Sequence, residues 1–154
     1  EYRNVDKAIT YGGDISISSD MDRLNVKVGY AYTGAKFFDK DNGRWEDLAL
    51  RVAHRVTAHV AYRIPVIETT AALNVQWNSP QLLTAKSGYY TPDYFTVGFD
   101  ISKKFLDEKL EVYVGLDNML NNIHFVKGSN NETQAFYYGL AEGIMLRVGG
   151  KYTF

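Results

Sequence analysis

The chain has 154 residues, no Cys, and 17 Lys and Arg against 18 Asp and Glu, for a formal net charge of −1. That length allows one ordinary domain. The missing Cys excludes disulfide scaffolds and Cys-based metal sites, and the near-neutral charge gives no electrostatic case for a nucleic-acid partner. Twelve Tyr, only 3 Pro and many Val, Ile and Thr favour strands, and no apolar run approaches the ~20 residues that a membrane helix needs. Glu1-Tyr2-Arg3-Asn4 is polar and carries no signal peptide, so a processed product or an internal fragment of a longer protein is expected.

Residues about 5–20 read as a first strand, with Val5, Ile9, Tyr11, Ile15 and Ile17 on one face and Asp6, Thr10, Asp14, Ser16 and Ser18 on the other. Asp20-Met21-Asp22-Arg23 is a short turn. A second strand over 24–36 sets Leu24, Val26, Val28, Tyr30 and Tyr32 against Asn25, Lys27, Gly29 and Thr33. Residues Phe37 to Leu50 form a long, charged connection. The third strand, 52–64, alternates Val52, His54, Val56, Ala58, Val60, Tyr62 and Ile64 with Arg55, Thr57, His59 and Arg63. Pro65-Val66 makes the next short turn. In 67–78, Ile67, Ala71, Leu73, Val75 and Trp77 oppose Glu68, Thr70, Asn74, Gln76 and Asn78. A second long connection runs from Ser79 to Pro92. Residues 93–105 present Phe95, Val97, Phe99, Ile101 and Phe105 against Thr96, Asp100, Ser102 and Lys104. Asp107-Glu108 turns the chain into 109–119, where Leu110, Val112, Val114 and Leu116 alternate with Glu111, Tyr113 and Asp117. A third long connection, about 121–141, precedes a last strand that places Ile144, Leu146, Val148, Gly150, Tyr152 and Phe154 on one face.

Strands of about 11–14 residues are roughly twice the usual soluble length and suit a tilted bilayer crossing. The connections alternate short and long, as do the periplasmic turns and external loops of outer-membrane barrels. Tyr62, Phe105, Tyr152 and Phe154 fall at the short-turn ends, and Tyr30, Tyr32, Trp77 and Phe95 toward the long-loop ends, all on the apolar face. Two interfacial aromatic girdles result. Seven such strands with two open edges would leave backbone polar groups bare in lipid, so a larger barrel is expected, with its N-terminal strands outside this chain. An eight-stranded barrel with one unread strand is the alternative, and a soluble sandwich with an aromatic core is the bland one.

The last strand resembles the C-terminal assembly signal of bacterial outer-membrane barrels at Arg147, Gly149, Tyr152 and Phe154. Two further segments carry a family resemblance. Asn4-Val5-Asp6-Lys7-Ala8-Ile9-Thr10-Tyr11-Gly12-Gly13-Asp14 resembles the "N-V-x-x-A-x-x-x-G-x-E" strand of TonB-dependent outer-membrane receptors, with Asp14 where Glu is usual. Gly115-Leu116-Asp117-Asn118-Met119-Leu120-Asn121 is similar to their penultimate-strand "N-L-x-N" element, with Met119 in place of the commoner aromatic. The resemblance spans essentially the whole chain. It implies an all-β transmembrane antiparallel barrel of 22 strands, of which residues 1–154 are the last seven or so. It also implies a plug domain and a TonB-contacting segment outside this chain, barrel assembly machinery and outer-membrane lipid as partners, and import of a scarce ligand of the iron–siderophore, haem or cobalamin type. A passive porin-like or adhesion barrel remains the other reading.

Loop aromatics are the candidate ligand contacts: Tyr89, Tyr90, Phe125, Phe136, Tyr137 and Tyr138, together with Trp45. Exposed loop tips rarely carry so many without a use, although loops packing on one another use them too. His54, His59 and His124 are the only histidines; His54 is expected to face lipid near the outer rim and His59 the lumen. His124, on a long loop, is the one weak metal candidate, and a solvated loop His is the plainer reading. No zinc spacing is present, and Asp39-Lys40-Asp41-Asn42-Gly43 lacks the spacing and closing Glu of a Ca²⁺ loop. Inward-facing Lys27, Arg55, Arg63, Glu68, Asp100, Lys104, Glu111, Arg147 and Lys151 carry both signs, as a wall facing water or a plug requires. No catalytic set and no cofactor motif is legible.

Overall fold

The structure, a computed structural model, describes residues 7–83, 90–123, 125–129, 135–139 and 142–154, with backbone only for the strands between 125 and 139. The described elements are all strands: β1 (Ala8–Met21), β2 (Leu24–Asp39), β3 (Arg44–Asp47), β4 (His54–Ile64), β5 (Thr69–Asn78), β6 (Tyr94–Phe105), β7 (Leu110–Asp117), β8 (Phe125–Ser129), β9 (Ala135–Gly139) and β10 (Met145–Tyr152). One antiparallel sheet runs β1-β2-β4-β5-β6-β7-β10, with β3 paired to the far end of β2, and β8 and β9 form a separate hairpin. The expected meander of seven long strands is therefore present, open at β1 and β10.

Register aligns the apolar residues into continuous rows. Met21, Leu24, Tyr62, Ala71, Ile101, Val114 and Val148 oppose one another across the whole sheet. Nearer the long-loop end, Ile15, Tyr30, Val56, Trp77 and Phe95 form a second row, and at the short-turn end Phe105, Leu110 and Tyr152 form a third. A one-residue slip would turn each set to the polar face, so the hydrophobic pattern itself selects the pairing. The aromatics expected at the two ends of the apolar face lie there. Trp77 donates its indole N–H to Asp93 Oδ2 at 2.8 Å, keeping its polar edge satisfied. Lys103 also lies on this face, between Thr69 and Val112, with its ammonium 5.3 Å from the Phe105 ring centre.

None of the described residues covers these rows. Among the described residues the buried hydrophobics are Ala35, Leu83 and Tyr94, while Ile17 is 73% exposed and Val148 67%. Among the described residues the sheet leaves both sides open and has no internal core, unlike a sandwich, which buries one face of each sheet against the other.

Four sequence expectations change. The stretch 37–50 is not a structureless connection: β2 continues to Asp39, and Phe38 pairs with Trp45 of β3. Cross-strand aromatic contact there, with ring centres 5.7 Å apart, extends the hairpin beyond the sheet. The connection 121–141 likewise holds the hairpin β8–β9. The turns after β4 and β6 span four residues each, 65–68 and 106–109, with left-handed φ at Glu68, Leu106, Asp107 and Glu108. Finally, β7 and β10 are 8 residues long, shorter than the other sheet-crossing strands. β7 stops because Asn118 turns left-handed, at φ 45°, and directs the chain across the rim, where Met119 N–H reaches Val97 O at 2.8 Å.

Candidate functional site

The inner face carries a hydrogen-bonded chain that crosses five strands. Arg147 on β10 donates from Nε to Asp117 Oδ2 at 2.6 Å and from Nη2 to Asp117 Oδ1 at 3.0 Å. The same Nη2 reaches Asp100 Oδ1 on β6 at 3.1 Å. Asn74 Nδ2 on β5 donates to Asp100 Oδ2 at 2.8 Å, and His59 Nδ1 on β4 lies 2.7 Å from Asn74 Oδ1. The chemistry orders this chain. Asp100 only accepts, so Asn74 presents its amide N–H to it and its oxygen to His59; Nδ1 of His59 is then the protonated nitrogen. One cation between two carboxylates leaves the set singly negative, and the two-pronged Arg147–Asp117 contact gives it direction.

Glycines make room for this wall. A Cβ on Gly115 would lie 2.3 Å from Asp100 Oδ1 and 3.2 Å from Arg147 Nη2. A Cβ on Gly149 would lie 2.4 Å from the Tyr113 ring, which lies over that glycine. Arg147 and Gly149 of the expected assembly signal are thus seated on the inner face, and Tyr152 and Phe154 belong to the outer one, with rings 5.1 Å apart in an edge contact. At the short-turn end, the charged residues Arg63, Glu68, Lys104, Glu108 and Glu111 line a concavity; Lys104 Nζ lies 3.5 Å and Arg63 Nη2 4.0 Å from Glu108.

At the long-loop end the connections are pinned to the sheet. Gln81 N–H donates to Thr91 Oγ1 at 2.9 Å, Thr91 N–H to Gln81 O at 2.8 Å, and both residues are buried. Leu82 bridges Tyr90, whose side chain remains 60% exposed. Asn78 is fully buried; its Oδ1 accepts from Arg55 Nε at 3.1 Å and Gln76 Nε2 at 3.3 Å, and its Nδ2 has no partner among the described residues. Asn118, from the segment that carried the family resemblance, is also buried. Its Nδ2 donates to Glu142 O at 2.6 Å, and its Oδ1 accepts from Asn122 N–H at 3.0 Å.

Of the expected ligand contacts, Tyr90 is exposed at the long-loop end. Tyr89 and His124 lie outside the described residues, as do the side chains of Phe125, Phe136, Tyr137 and Tyr138. Trp45 meets Phe38 edge-on and remains exposed. His54 lies on the outer face as expected, 2.7 Å from the Tyr30 hydroxyl, and His59 on the inner. Asp39 accepts from Asp41 N–H at 2.9 Å and from Asn42 Nδ2 at 2.6 Å, the pattern of a solvated hairpin tip. No group of three or more acidic or His side chains that could hold a metal occurs among the described residues. From the sequence, Asn74 and Tyr113 are legible only as alternate positions of the polar face, Gly115 only as a member of the penultimate-strand segment, and Asp117 as both; their contacts across the sheet are not.

No protein-family model and no curated protein matches the chain. Solved structures do. The FrpB iron transporter from Neisseria meningitidis (F3-3 variant) superposes with a TM-score of 0.66 at 20% identity, over 96% of this chain and 24% of that one. P. aeruginosa FpvA, in a complex with a heterologous pyoverdine and iron, superposes with a TM-score of 0.63 at 16% identity, over 94% of this chain and 19% of that one. The chain spans a quarter or less of either. At these identities the likeness is one of fold alone: the antiparallel sheet of this chain superposes on part of each of those two structures.

Proposed function

We propose that the chain is the C-terminal portion of the barrel of a TonB-dependent outer-membrane transporter. Its outer rows contact lipid, its inner wall faces water and a plug, and its long loops meet a scarce ligand of the iron–siderophore, haem or cobalamin type. The observation that carries the reading is the uncovered apolar face backed by the Arg147–Asp117–Asp100–Asn74–His59 wall, on a sheet that superposes on an iron transporter. An apolar band that no described residue covers, ending in aromatics on both sides, matches a hydrocarbon layer flanked by interfaces. The open edges β1 and β10 must pair with further strands, because unpaired backbone is costly in lipid. Residues Arg147, Gly149, Tyr152 and Phe154 serve barrel assembly in this reading.

The test is ligand uptake by the full receptor in cells with and without TonB energy. Replacing Tyr89, Tyr90, Tyr137 and Tyr138 by Ala should weaken uptake while heat-modifiable gel migration still reports an assembled barrel. Unchanged uptake in that variant would move the ligand elsewhere, and uptake that persists without TonB would leave a passive pore.

A further inference from the structure

Arginines of the described chain pair with carboxylates, with two exceptions that share one pocket. Arg23 pairs with Asp22, Arg44 with Glu46, Arg63 with Glu108, and Arg147 with Asp117 and Asp100. Arg51 and Arg55 pair with none among the described residues, and both line a cavity of 390 Å³ with Ala31, Thr33, Leu50 and Val52. The pocket sits on the inner face at the long-loop end, since Ala31 opposes Arg55, and Arg55 opposes the fully buried Asn78. No acidic residue among the described ones lines it. Asp47, on the neighbouring hairpin, is 3.9 Å from Lys36. Asp14 lies on the same row beyond Ala31, two strands from Arg55, or about 10 Å, where exposed charges are largely screened.

The Arg55 side chain is oriented by a hydrogen bond, and the backbone that leads into Arg51 is fixed. Arg55 spends its Nε on Asn78 Oδ1 at 3.1 Å, a neutral acceptor that orients the guanidinium without cancelling its charge. Arg51 follows Leu50, whose left-handed φ of 58° is costly for a residue with a Cβ. That conformation is secured by Leu50 N–H donating to Leu82 O at 2.7 Å, on the loop whose Leu82 also bridges the exposed Tyr90. Two forked cations with neutral neighbours and no carboxylate partner among the described residues form a receptor for a planar or tetrahedral oxyanion.

We propose that Arg51 and Arg55 form an anion-binding pocket that recognises a carboxylate or phosphate group of a small-molecule ligand at the external mouth of the barrel. The assignment of that ligand as imported cargo rests on the transporter reading; the pocket does not. It makes the ligand anionic, a class that the loop aromatics alone do not specify.

The test uses the full receptor, purified and assembled, titrated with citrate and separately with inorganic phosphate at low ionic strength. Binding should be saturable, fall with added salt, and weaken roughly tenfold or more in Arg51→Gln and Arg55→Gln, while Arg63→Gln at the other end leaves it unchanged. Arg→Lys at either position should restore only part of it, because the charge remains and the fork is lost. If the variants do not assemble, phenylglyoxal modification of the native receptor decides: citrate should protect Arg51 and Arg55 and not Arg63. Equal binding by Arg55→Gln and Arg63→Gln, no protection, or no binding to the native receptor, as when a carboxylate of another segment already fills the pocket, would each overturn the proposal. A receptor that binds citrate at these arginines yet shows no TonB-driven uptake keeps the pocket and loses the transporter.

Discussion

Arg147 grips Asp117 with two of its guanidinium nitrogens, at 2.6 and 3.0 Å, and so ties the last strand to its neighbour from the inner side. The backbone ladder already pairs these strands; the ion pair adds direction and draws Asp100 of the next strand into the same contact. Without the cation, two carboxylates would face each other across a glycine.

Arg147→Ala should therefore cost more than an ordinary surface ion pair. The side chains are 30–45% exposed, so solvent screens the pair and keeps the loss modest. Chemical unfolding of the full barrel in bilayers measures it. In the same assay Asp117→Asn in the Arg147→Ala background should recover part of the loss by relieving repulsion.

Gly149→Ala should destabilise by about 1–3 kcal/mol, since the new methyl meets the Tyr113 ring. Tyr113→Ala should reduce that cost when combined with it. A double-mutant cycle with additive effects would show that the ring does not sit over the glycine.

Val114→Arg should cost about 2–4 kcal/mol if Val114 faces mid-bilayer lipid, and Thr96→Arg on the inner face much less. Val114 opposes Ile101 and Val148 on the outer row, whereas Thr96 opposes Gln76. Refolding free energies in lipid compare them; equal costs would refute the assigned faces.

Asn118→Ala removes bonds to Glu142 O and Asn122 N–H, and leaves Ala at a left-handed φ. A loss of about 1–3 kcal/mol is expected, with faster proteolytic cleavage in 118–123. Asn118→Gly should keep the backbone shape but not the bonds, and fall between.

Period-two alternation by itself determined the seven strands of the main sheet, their faces, the order of short and long connections and the aromatic ends. The cause is local: a strand has only two faces, so a side chain's parity settles which of them it joins. His54 and His59 could be assigned to opposite faces on parity alone. What tertiary structure decided depends on register between strands distant in sequence. That Arg147 meets Asp100, 47 residues away, and that Gly115 and Gly149 are hollows for Asp100 and Tyr113, follows from which residues end up opposite. The same holds for the β2–β3 hairpin, hidden in a stretch whose charge read as loop, and for the pocket of Arg51 and Arg55. Arg55 alone was visible as an inward cation; that it lacks a carboxylate partner and shares a cavity with Arg51 depends on where the loop after β3 lands on the sheet, which no alternation pattern encodes.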